Sequence, residues 1–109
     1  MEAQTRTDQY VRRPARDRLI ATLRRHLPAL KQQYHIKSLG LFGSYIRNEQ
    51  TAESDVDLLV EFDEVPGLLT YVELQQALSD LLHLPVDLVH RPDLKPYIGE
   101  RILAEVVPL

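Results

Sequence analysis

Cysteine and tryptophan are absent from this chain of 109 residues, and only two Phe and five Tyr supply its aromatics. The lack of cysteine excludes disulfides, zinc–thiolate sites and thiol nucleophiles together, and it fits a reducing, cytoplasmic setting. With so few aromatics there is no stacking ladder for bases. There is no Cys/His zinc spacing either, so a nucleic-acid partner is not expected. Long apolar runs are also missing. Stretches such as Leu58-Leu59-Val60 and Leu81-Leu82 are far too short to span a bilayer, so no membrane partner is expected. The N-terminal charges are followed by no apolar segment of the signal-peptide kind. What is present is the apolar fraction of a globular protein, in a length that suits one domain and leaves little room for a second.

The net charge of −3 is unevenly spread. Residues 1–25 carry seven Arg (Arg6, Arg12, Arg13, Arg16, Arg18, Arg24 and Arg25) against Glu2, Asp8 and Asp17. A basic arm can touch nucleic acid or an acidic partner; its plainer reading is a solvated tail followed by a solvated helix face. Residues 1–15 are polar, contain Pro14 and lack periodicity, which predicts a flexible basic N-terminal arm ahead of a domain over 16–109.

From Arg16, Leu19, Ile20, Leu23, Leu27 and Leu30 recur at helical spacing, with Pro28 expected to kink or restart the helix. Ile36 to Phe42 reads as a strand stopped by Gly43-Ser44, then Ser44 to Asn48 as a short helical turn and Asn48 to Glu53 as a polar loop. Val56 to Phe62 is a second strand. Its consecutive Leu58, Leu59 and Val60 imply cover on both faces and hence a central position. After Pro66-Gly67, Leu68 to Leu82 reads as a helix buried through Leu68, Val72, Leu78, Leu81 and Leu82. Pro85 opens a third strand, Val86 to Val89. Pro92 and Pro96 bracket a last helix with Ile98, Ile102, Leu103 and Val106 on one side. This order predicts an α/β or α+β fold, a small sheet flanked by helices. So small a domain covers its apolar surface incompletely, so the Leu68–Leu82 helix or the last helix is expected to show an apolar patch to a partner or a second copy.

The chemistry concentrates in Gly43-Ser44 and Ser54-Asp55-Val56-Asp57. Gly43 ends a strand where a side chain would crowd an approaching phosphate. The backbone N–H groups that follow, and the Ser44 hydroxyl, can donate to phosphate oxygens. Asp55 and Asp57, two apart at a strand start, point to the same face and repel each other unless a cation intervenes. Oxygen ligands at this spacing suit Mg²⁺. Asp87 can join them if its strand neighbours the second, and three carboxylates can then hold two metals for in-line displacement at phosphorus. Each piece alone has a plainer reading: a turn, a solvated strand edge, a surface Asp. Their order along the chain is the informative feature. His26, His35, His83 and His90 have no ligand spacing and read as surface or capping residues. Tyr45, Tyr71 and Tyr97 read as partly buried packing, with modification or base stacking as the alternative.

Residues 40–62, Gly-Leu-Phe-Gly-Ser-Tyr-Ile-Arg-Asn-Glu-Gln-Thr-Ala-Glu-Ser-Asp-Val-Asp-Leu-Leu-Val-Glu-Phe, closely resemble the signature of the DNA polymerase β-like nucleotidyltransferases. They look most like the minimal branch, the MNT or MntA-type antitoxins of HEPN/MNT toxin–antitoxin systems. The segments Val86-Asp87-Leu88-Val89, Leu94 to Ile98 and Ile102 to Glu105 extend the likeness from about Leu19 to the end of the chain. The resemblance implies that Gly43 and Ser44 contact triphosphate and that Asp55, Asp57 and Asp87 are the catalytic, metal-binding carboxylates. Arg47 matches a basic residue of that branch and can neutralise phosphate; a surface pair with Glu49 or Glu53 is the other reading. Ile46 and Asn48 stand where the branch more often has small residues. Asn48 can adopt positive φ, and Ile46 is expected to narrow the pocket.

The implied function is Mg²⁺-dependent transfer of AMP from ATP to a protein hydroxyl, a tyrosine of a HEPN-type toxin ribonuclease, in the role of antitoxin. Two alternatives differ in class: a module that neutralises its partner by occlusion alone, and a nucleotide-sensing or DNA-binding regulator using the Arg-rich arm. Intact carboxylates favour the first reading.

Overall fold

The computed structural model describes residues 14–109. The arm expected over 1–15 therefore lies almost wholly outside the described residues. Helix α1 spans Ala15–Tyr34 and ends on His35, whose left-handed conformation (φ 58°) lets its N–H cap the Lys31 carbonyl. Leu19, Leu23 and Leu27 are its buried stripe, and burial of a leucine side chain contributes roughly 2 kcal/mol. The helix runs on through Pro28 and does not restart there. Pro28 is exposed, so its missing N–H and its ring fall on the solvent side, while the stripe holds the turns around it.

Strand β1 (Ile36–Phe42) leads through the single turn α2 (Ser44–Arg47) and a loop to β2 (Val56–Phe62). Helix α3 (Leu68–Leu82), β3 (Val86–His90), a 3₁₀ turn (Arg91–Asp93), α4 (Pro96–Glu105) and β4 (Val107–Pro108) complete the chain. The four strands form one mixed sheet in the order β3-β2-β1-β4. β1 is antiparallel to β2 and to β4, and β2 is parallel to β3. β2 is thus central, as its continuous apolar run requires.

One face of the sheet carries Leu41, Val56, Leu58, Val60, Val86 and Leu88 into a core shared with α1 and α3. In α3 the buried positions are Leu74 and Leu78, while Leu68 and Val72 stand in solvent with 80% and 51% of their surface exposed. Leu78, Leu81 and Leu82 of the expected stripe do pack on the core, while Tyr71 and Leu74 take the buried face in place of Leu68 and Val72. Side chains of α3 also finish the sheet edge. The Tyr71 hydroxyl donates to the Leu88 carbonyl at 2.6 Å, and Leu88 N–H donates to the Gln75 side-chain oxygen at 3.1 Å. Both outward backbone groups of Leu88 are satisfied, which blunts an edge that would otherwise template pairing.

β4 is absent from the sequence reading, since two residues, one of them Pro, carry no period. It is nevertheless firmly held. Gly40 and Leu41 pair with Pro108 and Val107, Leu109 N–H donates to the Leu39 carbonyl at 2.9 Å, and the Arg24 guanidinium reaches the Pro108 carbonyl at 3.1 Å. A Cβ on Gly40 would run into the Val106 side chain, so glycine there is what lets α4 and β4 close over the sheet. No helix among the described residues is long and apolar enough to cross a membrane.

Candidate active site

Backbone register assembles the site. Phe42 pairs with Asp57 across β1 and β2, and Asp57 pairs with Asp87 across β2 and β3. Side chains at paired positions share a sheet face, so Asp57 and Asp87 stand side by side opposite the main core. Asp55 lies two residues earlier, just outside β2 in the preceding loop rather than in the strand as its spacing suggests. Gly43 follows Phe42 with φ +84°, a conformation L side chains rarely adopt, and a Cβ there would collide with the Asp57 carboxylate. Glycine is therefore required at this turn twice over, by backbone conformation and by the carboxylate against it.

The electrostatics follow from this crowding. The Asp57 carboxyl is pushed up to about 6, first by burial and then by the charges of Asp87 and Asp55; Arg47 opposes the shift and Glu105 adds to it. Burial, with the nearby charges of Asp87 and Asp93, likewise raises the Tyr71 hydroxyl. Among the described residues no three His, Asp or Glu side chains are drawn together into a finished metal cage. The strand adjacency that Asp87 needs in order to join the pair is present, since β3 lies hydrogen-bonded beside β2. Three uncompensated carboxylates repel, and Asp55 sits on a loop that need not hold it in place. The donor set nonetheless fits a hard divalent cation: oxygen ligands only, with excess negative charge at its most buried member.

A cavity of about 650 Å³ opens beside Asp57, lined by Phe42, Gly43, Arg47, Glu49, Asp57 and the Ile98, Arg101, Ile102 and Glu105 face of α4. Of the residues singled out in the sequence, Gly43, Arg47 and Asp57 line it, whereas Ser44, Asp55 and Asp87 do not. Ile46, expected to narrow the pocket, turns the other way and packs against the core. Asn48 takes the left-handed conformation (φ 59°) that its residue type permits and caps α2. Arg47 is paired with Glu49 at 3.1 Å and with Glu105 at 2.9 Å, and these hydrogen bonds raise its already high pKa. Tyr45 is buried core, Tyr71 is half-buried and Tyr97 is exposed. The histidines hold structural places: His35 and His83 cap helices, and His90 meets Asp93 at 3.2 Å.

Sequence reading missed Arg101 and Glu105. The signal was present: positions 98, 101, 102 and 105 fall on one face of a helix, so finding Ile98 and Ile102 there implicates the other two.

A mixed sheet with a glycine–serine turn beside register-paired aspartates is the arrangement of nucleotidyl-transfer enzymes, and the model of the nucleotidyltransferase domain matches residues 23–108. The chain belongs to the nucleotidyltransferase domain family. Within it, a protein of Methanocaldococcus jannaschii provisionally named a protein adenylyltransferase is 50% identical over 86 residues, spanning 78% of this chain and 88% of that protein. The protein adenylyltransferase MntA of Thermococcus cleftensis is 45% identical over 82 residues, spanning 75% of this chain and 83% of that protein. A solved structure described as a minimal nucleotidyltransferase superposes with a TM-score of 0.68 at 37% identity, covering 86% of this chain and 91% of the other. A chain of an MntA-containing toxin–antitoxin complex superposes with a TM-score of 0.59 at 26% identity, covering 85% of this chain and 69% of the other. The chain is an enzyme of this class, similar in sequence and extent to the protein adenylyltransferases.

Proposed function

We propose that this chain transfers AMP from ATP to a hydroxyl of a partner protein, a tyrosine of a HEPN-type toxin ribonuclease, and so serves as the antitoxin of a cytoplasmic toxin–antitoxin pair. The observation that carries the reading is the row Gly43, Asp57 and Asp87: a glycine turn fitted against one carboxylate whose register partner is another. Identity to named protein adenylyltransferases supports AMP as the group transferred. Likeness to a chain of a toxin–antitoxin complex supports the kind of partner.

In this reading Gly43 N–H, the Ser44 hydroxyl and Arg47 receive the triphosphate, with charge-assisted bonds from Arg47 fixing its orientation. Asp55, Asp57 and Asp87 would hold Mg²⁺, as two ions, which would supply neutralisation of phosphate charge and acidification of the attacking hydroxyl. The acceptor oxygen bonds to the α-phosphorus, the bond from that phosphorus to its bridging oxygen breaks, and pyrophosphate leaves. Asp87, the most exposed of the register pair, accepts the hydroxyl proton. The Ile98–Glu105 face of α4 walls the cavity and limits water at the α-phosphorus.

The test is incubation of the purified chain with labelled ATP, Mg²⁺ and the product of the neighbouring gene. Label on a tyrosine of that product supports the reading. A stable complex without label leaves occlusion as the function.

A further inference from the structure

The donors assigned to the triphosphate already hold an anion. Gly43 N–H donates to Glu105 Oε1 at 2.8 Å, and Arg47 Nη1 lies 2.9 Å and 3.0 Å from the two oxygens of the same carboxylate. Arg47 Nε is turned to Glu49 at 3.1 Å. A carboxylate that joins one backbone N–H to one guanidinium presents its oxygens as one edge of a phosphate group does. Glu105 is no loose surface residue either. Its side chain is only 25% exposed. The chain immediately after it is locked, with Val106 wedged over Gly40 and Val107 and Pro108 paired with Leu41 and Gly40.

We propose that Glu105 is a built-in occupant of the triphosphate subsite, an internal anion that holds Gly43 and Arg47 until nucleotide displaces it and so sets the affinity of the site for ATP. The proposal rests on the reading of Gly43 and Arg47 as phosphate contacts. One N–H cannot serve a carboxylate and a phosphate oxygen together, and two anions brought to one guanidinium in a partly buried cavity repel. Because the backbone of residue 105 is fixed by β4, displacement is a side-chain rotation. It carries the carboxylate toward Arg101, one turn back on the same face and lining the same cavity. Without nucleotide, the same contact keeps the glycine turn and Arg47 from being left unpaired beside the aspartates.

Glu105→Gln keeps the size and a weaker acceptor but removes the charge that competes with phosphate. ATP binding in the presence of Mg²⁺ is measured by calorimetry for the wild type, Glu105→Gln, Glu105→Ala, Ser44→Ala and Arg47→Ala, with thermal melts confirming that each is folded. The proposal expects both Glu105 variants to bind ATP about tenfold more tightly, the worth of one charge-assisted bond that no longer has to be broken, and Ser44→Ala to bind more weakly. A residue with only a structural role could weaken binding on substitution but not tighten it. Unchanged or weaker binding by both Glu105 variants, with Ser44→Ala still weakened, overturns the proposal and leaves the phosphate reading standing. If Ser44→Ala and Arg47→Ala both bind as the wild type does, the phosphate reading falls and takes the proposal with it.

Discussion

Asp57 and Asp87 are register partners on adjacent parallel strands, so two carboxylates share one face of the sheet. Folding thus sets the Asp57 carboxylate in conflict with its surroundings: its pKa is raised from 3.8 to about 6, first by burial and then by the charges of Asp87 and Asp55. A raised acid pKa destabilises the folded state wherever the carboxylate is ionised. The penalty is absent below pH 4, grows as pH rises through the interval from 4 to 6, and is complete above it. A shift of this size corresponds to about 3 kcal/mol if taken at face value, and solvent screening of a half-exposed group reduces it to about 1 kcal/mol. Asp57→Asn is therefore expected to be more stable than the wild type by about 1 kcal/mol at pH 7.5 without Mg²⁺, with the advantage vanishing toward pH 4. Urea unfolding at the two pH values checks this, and a variant less stable at pH 7.5 would count against the conflict.

The same shift predicts a proton signature for metal binding. A ligand carboxylate must be ionised, so Mg²⁺ affinity should rise as pH passes through about 6 and level off above it. At pH 6 binding should release protons, seen as a dependence of the calorimetric heat on the buffer's ionisation enthalpy. Equal heats in all buffers at pH 6 would contradict the coupling of Asp57 ionisation to metal binding.

At the glycine–serine turn, two substitutions should separate fold from binding. Gly43→Ala meets both a positive φ and the Asp57 carboxylate, so it should lose roughly 1–3 kcal/mol of stability together with ATP binding. Ser44→Ala stands half-exposed at the start of α2 and should keep the wild-type melting temperature while binding ATP more weakly. Calorimetry with ATP and Mg²⁺, alongside melts, distinguishes the two outcomes.

Val65, Leu68, Leu69 and Val72 are all more than half exposed around the start of α3, an apolar surface of the kind that marks an interface. Leu69→Glu should weaken complex formation with the partner and leave ATP binding unchanged. Ile102→Glu would not serve this purpose, because Ile102 lines the cavity beside Asp57. Size-exclusion chromatography of the mixture gives the result, and a fully retained complex for Leu69→Glu would move the interface elsewhere.

The strands and helices were legible in the sequence wherever a long period or a strong break marked them. Examples are the stripe Leu19, Leu23 and Leu27, the strand ended by Gly43, and the apolar run that makes β2 central. The buried face of the first half of α3 was not, because it depends on how the helix is rotated over the sheet. β4 was hidden by its length, although the isolated Gly40 inside a strand announced a close approach. In the site, the aspartates were legible as a linear pattern. Glu105 was legible only as a member of the Ile98–Ile102 helix face; its contact with Gly43, 62 positions away, was not, because only the closure of α4 over the sheet makes the two neighbours.

The central claim is that this aspartate row transfers a nucleotidyl group to a protein. Its most direct test is intact and peptide mass spectrometry of the partner protein after incubation with ATP, Mg²⁺ and either the wild-type chain or the chain carrying Asp55→Asn with Asp57→Asn. The expected result is the mass of AMP on a tyrosine of the partner with the wild type, and none with the folded double variant. Equal modification by the double variant would contradict the account.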